Sequence, residues 1–106
     1  MAYEALAEEA SSLQPMDYYV YILKSKKFKD KTYIGYTTNL VNRLNRHNTG
    51  QVPYTSKYLP WEIETYVAFK DKYLAIKFEK YLKTGSGKAF LRKRLINPAE
   101  GSNLIP

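Results

Sequence analysis

The sequence contains no cysteine and only one histidine. The lack of cysteine excludes disulfides and thiolate metal sites, and a single histidine makes an ordinary zinc site a poor hypothesis. No apolar run approaches the roughly 18 residues of a membrane-spanning helix. The N-terminus also lacks the basic start and apolar stretch of a targeting peptide. We therefore expect a soluble, intracellular, cytoplasmic protein with no membrane partner.

Acidic side chains are scarce over most of the chain. The 106 residues, enough for one small domain, carry a net charge of +7. Residues 18–106 hold all 17 basic side chains and six of the ten acidic ones, a net of +11. So basic a domain is typical of nucleic-acid binding, and a solvated lysine-rich surface is the alternative interpretation. The eleven tyrosines slightly favour nucleic acid, because bases pack on aromatic faces.

The chain divides into three segments. Residues 1–15 contain three glutamates and no lysine or arginine, and we expect them to form a mobile acidic arm that ends at Pro15. Residues 16–97 are expected to form the folded domain. Residues 98–106 are expected to form an irregular tail.

Two strands are predicted from alternating apolar residues at 18–24 and 32–36, joined by a polar hairpin. Period-two alternation places Tyr21 and Tyr33 on the same face of the antiparallel pair. Gly35 shares that face, and its missing side chain is expected to let a sugar-phosphate backbone approach.

The later elements are predicted as a helix at 39–48, a loop at 51–60, a strand at 61–69 and helices at 72–83 and 86–95. Asp71 is expected to cap the second helix and Ser86 the third. Leu74 and Tyr81 are expected on the buried side of the second helix. The fold class is α+β, a three-stranded antiparallel sheet flanked by helices in the order β-β-α-β-α-α.

Residues 33–47 read as a short strand, a tight polar turn and the start of a helix. Leu40 and Leu44 lie four residues apart and share one helical stripe. At about 100° per residue, Arg43 and His47 fall beside that stripe. We therefore expect both side chains at the edge of the buried face, directed toward a cleft.

The tripeptide Tyr33-Ile34-Gly35, with Arg43 ten residues after the tyrosine, resembles the second half of the GIY-YIG endonuclease signature. The first half falls at 19–21, where only Tyr21 matches. Glu79 fits the acidic residue on a later helix. The resemblance covers roughly residues 18–95 and is to small members that lack a second DNA-binding domain. It implies that the domain at 16–97 is a GIY-YIG-like nuclease domain.

The resemblance also implies roles for five residues. Glu79 would hold a single divalent ion, Mg²⁺ or Mn²⁺, and Arg43 would clamp phosphate oxygens. Tyr33 would be the general base, with Tyr21 and His47 positioning the water, although the residues alone do not decide which tyrosine takes the proton. The reference pKa of tyrosine is about 10, so a nearby charge must lower it for this role.

Each of these residues has a plainer interpretation on its own. A tyrosine in a strand is usually a core residue, and Glu79 at i,i+4 from Lys83 would ordinarily form an ion pair on the helix surface. The hypothesis of an active site depends on the set, since five residue types occur in the family's order and each falls on the expected element.

The function indicated is Mg²⁺-dependent hydrolysis of phosphodiester bonds in DNA, structure-selective or non-specific, as in DNA repair or recombination. The alternatives are a non-catalytic nucleic-acid-binding module and a nuclease directed at RNA. A partner protein that targets the domain is compatible with the missing second DNA-binding domain. The basic residues expected to contact nucleic acid are Lys24, Arg46, Lys57, Lys88 and Arg92.

Overall fold

The computed structural model describes residues 17–97. The predicted arm at 1–15 and the predicted tail at 98–106 lie outside this range. Within it, no helix is both long enough and apolar enough to cross a lipid bilayer.

Three strands form one antiparallel sheet. They are β1 (Tyr18–Ser25), β2 (Thr32–Thr37) and β3 (Trp61–Phe69), in the order β2-β1-β3. The first strand is therefore central, and it contributes a continuous buried run from Tyr19 to Leu23. This confirms the predicted sheet and puts β2, which carries Tyr33, at an edge.

Three helices flank the sheet: α1 (Leu40–Asn48), α2 (Lys72–Leu82) and α3 (Gly85–Arg94). A short 3-10 helix, Thr55–Tyr58, interrupts the segment predicted as a loop. Together with the strands, the three helices confirm the predicted order β-β-α-β-α-α.

The two faces of the sheet bury two separate clusters. Tyr19, Tyr21 and Leu23 pack with Leu40 and Leu44 of α1 on one face. The other face is covered by α2 and α3, which bury Val20, Ile22, Ala75, Leu82 and Leu91. The alternation of β1 predicted this division, since successive side chains point to opposite faces.

The helix starts follow from local hydrogen bonds. Asn39 caps α1 by accepting from the Asn42 N–H at 3.0 Å, and Asp71 caps α2 by accepting from the Leu74 N–H at 2.8 Å. Such caps satisfy N–H groups that have no partner within the helix. After α1, Gly50 adopts φ +77°, the left-handed conformation that favours glycine at a helix end.

Two details of the sequence prediction are wrong. The α3 cap is Thr84, which accepts from the Gly87 N–H at 3.1 Å, so the helix begins before Ser86. On α2, Leu74 is 52% exposed and Tyr81 is 40% exposed, whereas Ala75 and Leu82 are fully buried. The buried stripe of α2 is therefore narrower than its apolar composition indicated.

Candidate active site

Tyr21 lies over Gly35 on the neighbouring strand. The two residues are paired across β1 and β2, and a Cβ on Gly35 would overlap the hydroxyl end of the Tyr21 ring. A side chain at position 35 would therefore displace the phenol. This corrects the expected role of Gly35, because the space beside it is filled by the Tyr21 ring and not left for a nucleic-acid backbone.

His47 is buried beneath the tyrosines. Its ring centroid lies 5.8 Å from that of Tyr21 and 4.9 Å from that of Tyr33, both in edge-on geometry. Only 1% of the residue is exposed. The expectation that His47 lies at the edge of the buried face is therefore wrong, because the histidine belongs to the interior, whereas the expectation that it is directed toward a cleft is confirmed.

A chain of hydrogen bonds runs through His47. Tyr21 Oη lies 2.9 Å from His47 Nε2, and His47 Nδ1 lies 2.8 Å from Thr55 Oγ1. The Thr55 hydroxyl donates to the Val52 carbonyl at 3.2 Å. The two bonds made by the imidazole are buried, where an unpartnered polar group would be costly.

This chain assigns the tautomer of His47. Because the one hydroxyl hydrogen of Thr55 is given to Val52, its oxygen accepts from His47 Nδ1–H. His47 Nε2 then carries no hydrogen and accepts from the Tyr21 hydroxyl. Neutral histidine with a fixed tautomer therefore holds the Tyr21 phenol in one orientation.

Protonation of the site follows from burial. Burial raises the pKa of Tyr21 to about 12; the hydrogen bond and positive charge of the Arg43 guanidinium oppose this shift, and the negative charge of Glu79 adds to it. Burial, aided by the cationic Arg43 and Arg46, lowers the pKa of His47 to about 4. Near neutral pH the pair is therefore a neutral phenol donating to a neutral imidazole.

A cleft of about 280 Å³ opens above this pair, lined in part by Tyr33, Arg43, Arg46 and His47. Arg43 Nη1 donates to the Tyr36 carbonyl at 3.3 Å, which ties the guanidinium to the end of β2. Four of the five predicted catalytic residues, counting Tyr21 below the cleft, are thus brought together.

Glu79 lies on the other face of the sheet and is not among the residues that line the cleft. It lies on α2 and pairs with Lys83 at 2.6 Å, and its side chain is 18% exposed. Its negative charge helps to raise the pKa of Tyr21. Glu79 therefore forms the ordinary i,i+4 ion pair and also acts electrostatically on Tyr21.

The predicted nucleic-acid contacts fall in three places. Arg46 lines the cleft. Lys57 lies exposed on the 3-10 helix. Lys24, Lys88 and Arg92 line a separate groove on the α2 and α3 side of the sheet.

Two residues near the site carried no signal in the sequence. Thr55 is eight residues after His47 in a segment without periodicity, and only the fold brings its hydroxyl to the imidazole. Its position is fixed by Trp61 Nε1, which donates to the Thr55 carbonyl at 2.9 Å. Tyr54, 63% exposed, places its ring 6.1 Å from that of Tyr33 and extends the aromatic surface outward.

Comparison with known proteins finds relatives for most of the chain. It is 38% identical over 85 residues to a UPF0213 protein of Pediococcus pentosaceus, covering 76% of this chain and 86% of that one. It is 35% identical over 65 residues to a structure-specific endonuclease subunit SLX1 homolog of Giardia intestinalis. That match covers 58% of this chain and only 18% of the relative's length.

A solution NMR structure of a UPF0213 protein from Bacillus halodurans is 32% identical, with a TM-score of 0.46 over 74% of this chain and 84% of that one. The family model of the GIY-YIG catalytic domain matches residues 17–94, nearly the whole described domain. This chain therefore belongs to the GIY-YIG catalytic domain family.

Proposed function

We propose that this protein is a metal-dependent endonuclease that hydrolyses phosphodiester bonds in DNA. The observation that carries the proposal is the buried hydrogen-bond chain from Tyr21 through His47 to Thr55, directly beneath a cleft lined by Tyr33 and Arg43. A strongly shifted pair of titratable groups beside a cleft is typical of an active site. The Giardia relative is a subunit of a structure-specific endonuclease, which supports a nuclease that prefers particular DNA structures.

The two tyrosines take different roles in this proposal. Tyr21 keeps its proton, because its pKa is about 12 and its hydrogen is given to His47. Its buried oxygen also takes a hydrogen bond from the Arg43 guanidinium, so Tyr21 would act on the reaction by positioning Arg43. Tyr33 is the tyrosine that lines the cleft, so we assign it as the base. Its phenol first gives its own proton to solvent, and the phenolate then takes one proton from the attacking water. As the water oxygen bonds to phosphorus, the P–O3′ bond breaks and the 3′-oxygen takes a proton from solvent.

Arg43 is placed to bind the phosphate under attack. Its guanidinium lines the cleft and is held by the Tyr36 carbonyl. A planar fork of donors matches the non-bridging phosphate oxygens, and such a contact strengthens as negative charge builds in the transition state. Tyr54, next to Tyr33 and largely exposed, offers a ring on which a nearby base can stack.

The residues fit a hard divalent ion bound through one carboxylate. Within residues 17–97 no three His, Cys, Asp or Glu side chains form a group that could hold a metal. One carboxylate, Glu79, suits Mg²⁺ or Mn²⁺, since such an ion keeps several waters and takes phosphate oxygens from the substrate. A bound ion there would act as a Lewis acid and stabilise the leaving oxygen.

The proposal is tested by incubating the protein with supercoiled plasmid and with labelled hairpin, flap and junction DNA. We expect nicking in Mg²⁺ or Mn²⁺ that stops on chelation and returns when the ion is restored. Matched RNA substrates and Arg43→Ala protein serve as controls. Binding of every substrate without cleavage of any would contradict the proposal and favour a non-catalytic module, and preferential cleavage of RNA would contradict the assignment of DNA.

A further inference from the structure

A second concave surface lies on the opposite side of the sheet from the cleft. This groove of about 550 Å³ has three apolar residues in its lining, Ile34, Leu91 and Ile96, all buried or half-buried. Five basic side chains and one carboxylate surround them, from Lys24, Lys29, Asp30, Lys83, Lys88 and Arg92. All but the half-buried Lys24 are exposed, so the groove has an apolar floor and a strongly cationic rim.

The walls of the groove are fixed by the rest of the fold. The Asn97 N–H donates to the Glu64 carboxylate at 2.7 Å, which ties the end of the α3 segment to β3. The Lys24 ammonium donates to the Asn97 carbonyl at 3.4 Å. A ligand would therefore meet a largely formed site, in the size range of pockets that hold small organic groups.

The combination of floor and rim selects one kind of polyanion. A cationic rim attracts phosphates of any nucleic acid. The bases of a duplex are stacked and paired, so they cannot reach a recessed apolar floor, whereas an unpaired nucleotide can turn its base inward. Asp30 would repel a phosphate, but its carboxylate can accept a hydrogen bond from the amino group of a base.

The groove is linked to the proposed metal ligand by one ion pair. Lys83 lines the groove and pairs with Glu79 at 2.6 Å. A strand bound in the groove would therefore pass close to the carboxylate that we assign to the metal.

We propose that this groove binds an unpaired segment of nucleic acid that leads away from the site of cleavage. This inference rests on the proposed nuclease function. It assigns the substrate class as DNA with a single-stranded branch or end. The unpaired nucleotide places its base on Ile34 and Ile96 and its phosphates against Lys88 and Arg92.

The rim is tested by measuring the affinity of labelled single-stranded and duplex DNA of the same sequence, without metal, over a range of salt. Lys88→Ala combined with Arg92→Ala should lower single-strand affinity at least about tenfold at 50 mM salt. It should also reduce the slope of log affinity against log salt by about 1.4, that is about 0.7 for each phosphate no longer neutralised.

Lys93→Ala combined with Arg94→Ala is the matched control. It removes one lysine and one arginine from the same helix but outside the groove lining, so it should leave the slope nearly unchanged.

A substitution in the apolar floor of the groove gives a second, independent test. Ile96→Thr should lower single-strand affinity while leaving the salt slope and duplex affinity unchanged, because it alters the surface that meets a base and leaves the phosphate-binding side chains in place. Thermal melts check that the variant remains folded.

Equal losses of single-strand and duplex affinity in the rim variant would overturn the proposal, as would single-strand binding at the wild-type level. These assays do not involve cleavage, so their result is separate from that of the proposed function. A chain that cuts DNA but binds single strands independently of Lys88 and Arg92 would disprove the groove alone. If the rim variant lost single-strand affinity but the wild-type protein cleaved no DNA, only the proposed nuclease function would be disproved.

Discussion

At the scale of single residues, the candidate site depends on one hydroxyl far from the proposed reaction. Thr55 accepts from His47 Nδ1 at 2.8 Å and thereby leaves Nε2 free to accept from Tyr21. Without that acceptor the imidazole can carry its hydrogen on Nε2 and lose the bond from Tyr21. We therefore assign Thr55 as a positioning residue that acts through His47.

Replacing Thr55 with valine, which has nearly the same shape, should lower the nicking rate roughly tenfold to hundredfold, the loss seen when metal-ligating histidines lose an outer hydrogen-bond partner. Thr55→Ser restores the hydroxyl and should return most of the activity. The ¹⁵N chemical shifts of His47 should report mixed tautomers in the valine variant alone. A valine variant with wild-type rate and unchanged shifts would contradict this role.

Stability should depend on pH through His47. The pKa of His47 is about 4 in the folded protein against 6.5 for the free side chain. Between these values the unfolded chain binds more protons, so stability is complete above about pH 6.5 and is lost as the pH falls toward 4. The loss from this group should be on the order of 3 kcal/mol.

Denaturant unfolding at several pH values measures this loss, and His47→Gln is the control because carboxylates titrate over the same range. The difference between wild type and variant should shrink as the pH falls from 7 to 4. A difference that stays constant with pH would show that His47 is not held in its neutral form.

Which single residues could be found from the sequence depends on how local their contacts are. The shared face of Tyr21 and Tyr33 follows from period-two alternation and was predictable. The packing of Tyr21 over Gly35 and the bond from His47 to Thr55 depend on strand register and on a loop conformation. Both are set by tertiary structure, so the residues alone carried no sign of them.

At the scale of elements, the helix α2 carries the proposed metal ligand and ends beside the groove. The charge of Glu79 helps to raise the pKa of Tyr21, and Lys83, one turn later, lines the groove. The ion pair between them, with Lys83 52% exposed, neutralises the carboxylate when no metal is bound.

Lys83→Gln should therefore lower the Mg²⁺ concentration that gives half-maximal nicking, because the ammonium no longer competes for Glu79. The change should be no more than about fivefold, the equivalent of about 1 kcal/mol for a partly exposed pair. A metal titration at saturating DNA measures it, with Lys77→Gln as the control on the same helix. An unchanged or raised Mg²⁺ requirement would contradict competition for Glu79.

The first and last residues of the helices and strands were more predictable than which of their side chains are buried. Strong signals such as the cap at Asp71 and the alternation of β3 placed both elements correctly. The buried stripe of α2 was misjudged at Leu74 and Tyr81, because a three-stranded sheet covers only a narrow part of a helix. The 3-10 helix at Thr55–Tyr58 was missed, since a single short turn has no periodicity to detect.

At the scale of the whole molecule, the sheet separates the buried Tyr21–His47 pair from a cationic groove. On the α1 side, neutral tyrosine and histidine are buried under a small cleft. On the α2 and α3 side lies the groove, with its five basic side chains. The edge strand β2 contributes to both surfaces, Tyr33 to the cleft and Ile34 to the groove. In the proposed mechanism, phosphates of an unpaired strand would lie in the groove and proton transfer would take place in the cleft.

The separation of binding from chemistry gives the most direct test of the account. Glu79→Gln keeps the shape of the side chain and removes one negative charge. It should abolish Mg²⁺-dependent nicking while DNA affinity without metal stays equal to that of wild type or rises slightly, since Lys83 is freed for phosphate. Arg43→Ala, the companion variant, should slow nicking on the order of a hundred- to a thousand-fold and weaken binding much less.

The deciding measurement is therefore the nicking rate and the DNA affinity of wild type and Glu79→Gln in the same preparation, with thermal melts to confirm folding. Lost cleavage with retained binding is the predicted result. Cleavage by Glu79→Gln at the wild-type rate would contradict the proposed active site.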